Sequence, residues 1–269
     1  MPNAKDAEGL AYQNILTVGA TGSGKTSLIW TLPGKKFAYL FDPNALASLQ
    51  GCDVDYETFL PAALELDSSI KGFNRDARKD DKSPASNVEP TTFIRFIEDL
   101  NAKHESKFFD DYDWLIFDSL TYLSRACMDR QLWINRRFGK IEDLGDYRIV
   151  GSKLSDVFRP ITALPINLFC TGHITEFQDE TTKKITTQLM LPGGAKTYLP
   201  LMFTDIWEAR SASTEKEVKF QLKTRPENRG LQTVRSSLRG LEMFEDVTIK
   251  DFEHPNKFGI AHLIDKATN

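Results

Sequence analysis

A glycine-rich stretch early in the chain carries the residue types that bind a phosphate chain. Residues 19–26 read Gly-Ala-Thr-Gly-Ser-Gly-Lys-Thr, a glycine followed by four residues and then Gly-Lys-Thr. Glycines permit positive φ angles, so that successive backbone N–H groups turn inward around a β-phosphate. Lys25 would place a compact positive charge against the β- and γ-phosphates, and the Thr26 hydroxyl is suited to ligate Mg²⁺.

The sequence on either side suits that role. Residues 14–18 predict a short buried strand, and residues 26–30 predict the first turns of a helix whose N-terminus faces the phosphates. A chance glycine-rich turn would need neither flanking element. We therefore predict a site for ATP with Mg²⁺. Its predicted nucleotide contacts are Gly19, Ala20, Thr21, Gly22, Ser23, Gly24, Lys25, Thr26 and Ser27.

A carboxylate stands at the end of another apolar run. Residues 114–118, Trp-Leu-Ile-Phe-Asp, predict a strand that is buried on both faces. Ligands bind along the carboxyl edge of a parallel sheet, and an acidic residue there holds Mg²⁺, usually through water, in phosphate-loop enzymes. Asp118 is therefore predicted as a metal ligand together with Thr26. The simpler alternative is an aspartate that only ends the strand.

Hydrolysis also requires a base or a residue that orients the attacking water. The predicted strand at residues 36–41 ends in Asp42-Pro43-Asn44. The carboxylate of Asp42 can accept a proton, whereas the amide of Asn44 can only orient water. Glu57 is a more distant candidate, and the sequence leaves the choice open.

Three further residues are candidates for contact with the γ-phosphate. His173 follows the apolar run at residues 165–171, where it is placed to donate to the γ-phosphate and report its loss to the next segment. Lys223 and Arg225 close a late strand and point the same way if that strand is regular, so they could reach a phosphate in a neighbouring subunit. A polar strand end and a solvated basic edge are the plainer alternatives.

Composition limits the class of protein. The chain has 269 residues, of which 41% are hydrophobic, and this suits one large domain. The net charge of −4 gives no global signal for nucleic acid, so a DNA contact would need a local basic patch. The three cysteines, Cys52, Cys127 and Cys170, follow no metal spacing. With no signal peptide pattern and no run of about 18 apolar residues, we expect a reduced, cytoplasmic protein outside the membrane.

The order of elements predicts the fold class. Apolar runs alternate with helical patterns at 93–100, about 120–137 and 149–161, which predicts parallel βαβ units with helices on both faces of the sheet. The last third favours an antiparallel extension of the same sheet. Its shorter strands are predicted at residues 186–191, 204–210, 217–224 and 231–236.

The predicted organisation has three parts. Residues 1–13 are a leader, residues 14–240 are the ATPase core, and residues 241–269 are a C-terminal tail that the pattern does not place. Residues 71–90 are charged and almost without apolar side chains, as is typical of an exposed loop.

Four motifs, in this order, resemble those of the RecA-like ATPases, which include recombinases and DnaB-type helicase motors. They are residues 19–26, the strand 114–119, Thr171-Gly-His173 and Lys223-Thr-Arg225. The chain is most similar to the compact phage-encoded members linked to recombination and single-strand annealing. The likeness covers about residues 14–236, and residues 192–196 are similar to the glycine pair after the second DNA-binding loop of RecA.

The resemblance implies a RecA-like P-loop NTPase, an α/β fold whose mainly parallel sheet is flanked by helices and carries an antiparallel C-terminal extension. It implies a homo-oligomer, either a ring or a filament, in which each ATP site is shared between subunits. Lys223 and Arg225 would then act in trans. A host-cell cytoplasmic location and a single-strand DNA-binding protein as a partner follow from the phage likeness.

The resemblance also implies two loops that face single-stranded DNA, near residues 136–146 and at residues 176–195. Lys183 and Lys184 would contact phosphates in a sequence-independent way. Phe138 and Phe177 would stack on bases. The alternative for both loops is a plain solvated surface.

One residue departs from the family pattern. RecA-type enzymes usually place a catalytic glutamate two residues after an acidic residue at the end of the second strand, and Asn44 stands there. Hydrolysis is then slow, or Asp42 takes the role, or ATP acts mainly as a binding switch.

Three alternatives to a recombination ATPase follow. They are an oligomeric DNA motor of helicase or packaging type, a nucleotide-gated assembly switch, and a small-molecule kinase. The lack of a helicase-like N-terminal or nuclease domain disfavours a complete motor, and the lack of an evident acceptor lid disfavours the kinase.

Overall fold

The computed structural model describes residues 12–61, 89–138, 140–178, 180, 183, 185–213, 217–227, 231 and 233–268. Most of the predicted leader at 1–13 and of the predicted loop at 71–90 lies outside these residues, as does Lys184. Within the described part of the chain, no helix is long and apolar enough to cross a membrane.

A mixed sheet runs through the middle of the molecule. Its order is β3-β2-β4-β5-β1-β7-β8-β9, and β6 pairs with β5 beside this path. The strands are β1 Asn14–Gly19, β2 Lys36–Leu40, β3 Asp55–Thr58, β4 Trp114–Asp118, β5 Asn167–Gln178, β6 Ile185–Leu189, β7 Asp205–Ser213, β8 Val218–Lys223 and β9 Phe244–Asp246.

Helices cover both faces of this sheet. The α-helices are α1 Ala45–Leu49, α2 Thr92–Glu105, α3 Leu120–Ile134, α4 Leu144–Ile161, α5 Ala195–Tyr198 and α6 Gly259–Thr268. Short 3₁₀ helices occupy Thr26–Thr31, Phe108–Asp111, Leu199–Met202 and Pro255–Lys257. The helical patterns predicted at 93–100, 120–137 and 149–161 correspond to α2, α3 and α4.

The strand directions confirm the α/β fold class and correct one detail of it. The pairs β1–β5, β1–β7, β2–β3, β2–β4 and β4–β5 are parallel, and β5–β6, β7–β8 and β8–β9 are antiparallel. Of the strands predicted for the antiparallel extension, β6 and β8 have antiparallel neighbours as expected, whereas β7 also pairs in parallel with β1. Ile206 and Trp207 are both fully buried, as expected for an inner parallel strand with both faces covered. Instead of the strand predicted at 231–236, the described residues of that range contribute an isolated bridge between Arg235 and Ile206.

Side chains of alternating direction divide the core into two layers. On one face, Leu16 and Val18 of β1 join an aromatic cluster under α2, α3 and α4, in which the rings of Phe117 and Phe158 lie 5.2 Å apart. On the other face, Ile15 packs with Trp207 and with the helical segments at 26–31 and 259–268. The period of two along a strand produces this division.

Residues 244–268, which the sequence pattern does not place, are part of the domain. β9 extends the sheet beside β8, and α6 packs against the 3₁₀ helix that follows the glycine-rich stretch. The backbone N–H of Ile260 donates to Thr31 Oγ1 at 2.9 Å. Lys266 in α6 forms an ion pair with Glu245 in β9 at 2.8 Å. The C-terminal segment therefore stabilises the 3₁₀ helix that follows the glycine-rich stretch.

Replacing Gly259 by alanine is expected to lower the free energy of unfolding by about 3 kcal/mol. Its φ of +55° disfavours any side chain, and a Cβ there would lie 2.5 Å from Thr31 Oγ1; these two effects together give that magnitude. Gly240→Ala is the matched control, because φ is +80° but no atom lies within 4 Å of the new Cβ. Urea unfolding of both variants would measure the difference, and equal losses would show that the contact with Thr31 does not matter.

Candidate functional site

The glycine-rich stretch forms the turn between β1 and the 3₁₀ helix Thr26–Thr31. Gly22 and Gly24 have φ angles of +78° and +84°, which side chains rarely tolerate. A Cβ on Gly19 would collide with the carbonyl of Ala209 in β7. The loop therefore needs glycine at these positions to keep its backbone close to the sheet edge.

The predicted helix after the loop is a 3₁₀ helix. It spans Thr26–Thr31, and Leu32, which follows it, is extended with ψ 129°. Pro33 follows, and a proline disfavours the helical conformation of the residue before it. An anion would therefore be bound mainly by the backbone N–H groups of the loop, because no long helix with a large dipole follows it.

Lys25 is buried at the centre of the loop, with only 6% of its surface exposed. Its ammonium donates to the carbonyl oxygens of Gly19 at 3.0 Å and Ala20 at 2.7 Å. Burial lowers the pKa of Lys25 to about 8, although the nearby carboxylates of Asp118 and Asp42 favour its charged form. This ammonium is held by weak neutral acceptors that the oxygens of a phosphate chain can replace.

Asp118 joins β4 to the loop. Its Oδ2 accepts a hydrogen bond from Thr26 Oγ1 at 2.9 Å, and its Oδ1 accepts one from the hydroxyl of Thr171 in β5. Burial raises the pKa of this carboxyl, which is only 2% exposed, while both hydroxyls favour its ionised form. A hydroxyl and a carboxylate are oxygen ligands of the kind that Mg²⁺ prefers. Thr26 and Asp118 therefore fit a magnesium ion.

The end of β2 lies at the same sheet edge. The backbone N–H groups of Phe41 and Asp42 donate to the carbonyl of Asp118, at 2.7 Å and 3.3 Å. Asp42 Oδ1 accepts from the backbone N–H of Asn44 at 2.8 Å. Asp42 and Asn44 both line a cavity beside the glycine-rich loop. Glu57, the more distant candidate, instead forms an ion pair with Lys103 at 2.7 Å and does not line it.

His173 lies within β5, which continues to Gln178 instead of ending at this residue. It pairs in register with Gly19 of β1, and its N–H donates to Thr121 Oγ1 at 2.9 Å. Its Nδ1 is buried and finds no hydrogen-bond partner within the described part of the chain. Burial, and then the charge of Lys25, lower the pKa of His173. The neutral imidazole therefore borders the cavity with an unused polar atom.

Lys223 and Arg225 do not join these groups. Lys223 is fully buried, and its ammonium lies 3.1 Å from Glu208 Oε2 and 3.6 Å from Glu227 Oε2 of the same chain. Arg225 follows the end of β8 and donates to the carbonyl of Leu241 at 2.7 Å. In this arrangement Lys223 would have to leave a buried ion pair to reach another subunit, so its role in trans stays a prediction, as does that of Arg225.

The two segments predicted to face DNA differ from each other. Near residues 136–146, Arg137 donates to Asp143 and, at 2.7 Å, to Asp146. Phe138 is 7% exposed, and its ring lies 6.5 Å from that of Trp133. Phe138 is therefore a packing residue and not a free stacking platform in this conformation.

Among the described residues of 176–195, residues 176–178 end β5 and Ile185–Leu189 form β6, which pairs antiparallel with β5 (the β5–β6 hairpin), and a turn then leads to α5. Phe177 is 59% exposed on this hairpin, and Lys183 is exposed between the two strands. The hairpin therefore presents an aromatic ring and a positive charge to solvent.

A cavity of about 300 Å³ unites the site. Two aromatic residues of its wall, Tyr122 and Phe220, belong to no recognisable motif, so the sequence does not predict them. Thr171 lies in the motif at 171–173, but its contact with Asp118 depends on strand pairing and is likewise not predicted. The lining residues are Thr21, Gly22, Gly24, Lys25, Thr26, Ser27, Asp42, Asn44, Ala45, Ser48, Asp118, Tyr122, His173 and Phe220.

Nucleotide affinity is expected to fall as the pH rises above about 8. The pKa of Lys25 in the free protein is about 8, so the ammonium that binds phosphate loses its proton from that pH upward. Because binding then requires proton uptake, the apparent Kd should rise by up to about tenfold per pH unit. Titrations of ATP between pH 7.5 and 9.5 would measure this, with Lys25→Ala as a pH-independent control. A flat profile for the unmodified protein would contradict it.

Comparison with solved structures finds distant shape similarity. One is the flagellar accessory protein FlaH from Methanocaldococcus jannaschii, with 13% identity, coverage of 89% of this chain and 87% of that chain, and a TM-score of 0.42. Another is the KaiC-like protein PH0186 from Pyrococcus horikoshii OT3, with 12% identity, coverage of 91% and 87%, and a TM-score of 0.43. Similarity at this level carries no argument about function. A search of curated proteins finds no match.

A sequence family gives the clearer result. The family described as "AAA domain" matches residues 11–235, which include β1 to β8 and every residue of the cavity wall. Together with the sheet, this confirms the expected fold, a RecA-like P-loop NTPase with antiparallel strands near its C-terminus. The likeness to phage recombinases stays a prediction. The chain belongs to the AAA domain family.

Proposed function

We propose that the protein binds ATP with Mg²⁺ and hydrolyses it. The observation that carries the proposal is the hydrogen bond between Thr26 and Asp118. It joins the hydroxyl after the loop lysine to the carboxylate at the end of β4, which is only 2% exposed. A buried carboxylate is costly even when hydroxyls donate to it, and a hydroxyl and a carboxylate side by side at this sheet edge offer two oxygen ligands to Mg²⁺.

The cavity wall supplies groups for each part of the reaction. Lys25 binds and neutralises the β- and γ-phosphates, and bound Mg²⁺ supplies further charge neutralisation. Among the residues that line the cavity, Asp42 and Asp118 are the carboxylates. Since Asp118 is assigned to the metal, Asp42 is the candidate to accept the proton of the attacking water. The Asn44 amide orients that water, and His173 donates to the γ-phosphate.

We further propose that the protein binds single-stranded DNA and acts in recombination or strand annealing. The support is the course of β5, which runs without interruption from His173 at the nucleotide cavity to the exposed Phe177. A second cavity of about 680 Å³ lies between this hairpin and α3, and it shares Thr21, Tyr122 and His173 with the nucleotide cavity. Loss of a γ-phosphate that contacts His173 would therefore change the contacts of His173, and β5 and the shared cavity wall would pass that change to the hairpin.

The active site is proposed to be shared between subunits of a ring or filament, with Arg225 reaching the neighbouring nucleotide. Arg225 supports this better than Lys223, because it is exposed and donates to a backbone carbonyl, that of Leu241, whereas Lys223 lies in a buried ion pair. An oligomeric motor and a nucleotide-gated switch are the competing proposals. Asn44, which stands in the place of a catalytic glutamate, favours the switch.

ATP hydrolysis with and without single-stranded DNA, at low salt because phosphate contacts weaken as salt rises, tests these proposals. Turnover stimulated by DNA would support the recombination ATPase or the motor, and subunit stoichiometry would separate a ring from a filament. Tight ATP binding without turnover would favour the switch. Absence of ATP binding would overturn the proposed function.

A further inference from the structure

One wall of the nucleotide cavity is aromatic. Phe220 of β8 lines the cavity, and its ring lies against the glycine-rich loop. A Cβ built on Gly24 would be 2.7 Å from Phe220 Cδ1 and 3.2 Å from Cε1. The loop therefore touches the ring directly, and Gly24 leaves room for it.

Phe220 and Asp118 lie on opposite sides of β1. In the sheet order, β5 and then β4, which carries Asp118, lie on one side of β1, whereas β7 and then β8, which carries Phe220, lie on the other. Lys25 and Thr26 stand on the loop between them. A cavity with Asp118 on one side, Lys25 and Thr26 on the loop in the middle and the Phe220 ring on the other side matches a nucleotide, whose phosphate chain is charged and whose base is flat and apolar on its faces.

A segment outside the family match fixes this ring. The N–H of Phe220 donates to Thr248 Oγ1 at 2.9 Å, and the carbonyl of Phe220 accepts from the N–H of Val247 at 2.9 Å. Thr248 is itself fixed, because its N–H donates to Asp246 Oδ1 at 2.9 Å. Both backbone groups of Phe220 are therefore held by residues 246–248, which follow the matched range 11–235.

We propose that Phe220 forms the nucleobase site by stacking on the base, and that Thr248 is a positioning residue that keeps the ring on the loop. The inference rests on the proposed nucleotide site and adds the class of base to it. Purines offer a larger face for stacking than pyrimidines, so the site takes ATP or GTP in preference to CTP or UTP.

The test distinguishes binding of the nucleobase from binding of the phosphate chain. Calorimetric titration of the full chain with Mg²⁺ and ATP, CTP or inorganic tripolyphosphate would be compared for the unmodified protein, Phe220→Leu and Phe220→Trp. Phe220→Leu keeps apolar bulk, so that folding is preserved, but it should weaken ATP binding by about tenfold and leave tripolyphosphate binding unchanged. Phe220→Trp should retain ATP affinity. Equal loss of ATP and tripolyphosphate, or no loss of either, would overturn the base site while the phosphate site stands.

The positioning role of Thr248 is tested by the ratio of the affinities for ATP and for tripolyphosphate. Thr248→Val removes the hydroxyl at nearly constant volume and should lower ATP affinity relative to tripolyphosphate, whereas Thr248→Ser should restore it. An unchanged ratio in Thr248→Val would overturn the positioning role. Failure of the unmodified protein to bind either ATP or tripolyphosphate would instead overturn the proposed function, and the base site with it.

Discussion

Replacing Lys25 by alanine is expected to weaken ATP binding by roughly a thousandfold. Lys25 is 6% exposed, and its ammonium donates to the carbonyls of Gly19 and Ala20. At an effective dielectric constant of about 20, a phosphate charge some 4 Å away gains about 4 kcal/mol from it, which corresponds to roughly a factor of a thousand in Kd. Calorimetric titration with Mg²⁺–ATP would measure the loss.

Lys36→Met is the matched control for this experiment. Lys36 is also a buried lysine, and it donates to the carbonyl of Leu32 at 3.2 Å, but it does not line the cavity. Because burial disfavours the charged form of Lys25, its removal should not lower the free energy of unfolding. Unfolding curves would check this. Similar ATP affinities in the two variants would rule out the phosphate role of Lys25.

Replacing Asp118 by asparagine is expected to lower the rate of ATP hydrolysis by at least about a hundredfold. The substitution keeps the shape of the side chain but removes the charge, and its NH₂ group cannot accept from Thr26 or Thr171, both of which donate to Asp118. ATP binding at high Mg²⁺ should persist, because the loop and Lys25 are intact. Single-turnover rates over a range of Mg²⁺ concentrations would show the loss and its metal dependence.

Asp205→Asn serves as the control for a buried aspartate outside the cavity. Asp205 is fully buried and accepts from Ser236 Oγ at 2.8 Å and from the Ser237 N–H at 2.6 Å. Its replacement should reduce stability without altering the Mg²⁺ dependence of hydrolysis. If Asp118→Asn hydrolysed ATP at the rate of the unmodified protein, the metal assignment would be wrong.

The parts of the site that the sequence predicts are those that local pattern determines. The loop at residues 19–26 is recognisable because each position has a backbone or charge requirement of its own. The position of Asp118 follows from one apolar run, because parallel strands end at a common sheet edge. The register confirms that shared edge, with Gly19 opposite His173 and Leu40 opposite Asp118.

The parts that the sequence does not predict depend on strand pairing. Lys223 is buried because β8 pairs with β7 in a register that places Glu208 opposite it, and no local pattern contains that partner. Phe138 is buried because the chain after α3 folds back on Trp133. Phe220 reaches the loop only because β8 lies two strands from β1. Tertiary contacts determine where these three side chains lie, and residue type and spacing along the chain predict such contacts poorly.

The contact between α6 and the 3₁₀ helix that follows the glycine-rich loop has a consequence for the order in which the site forms during synthesis. Ile260 donates to Thr31 across a sequence separation of 229 residues. A nascent chain therefore carries the complete glycine-rich sequence long before the residues that support it leave the ribosome, and contacts over such separations form late in folding. We therefore expect the proposed nucleotide site to be complete only after residues 259–268 have been synthesised.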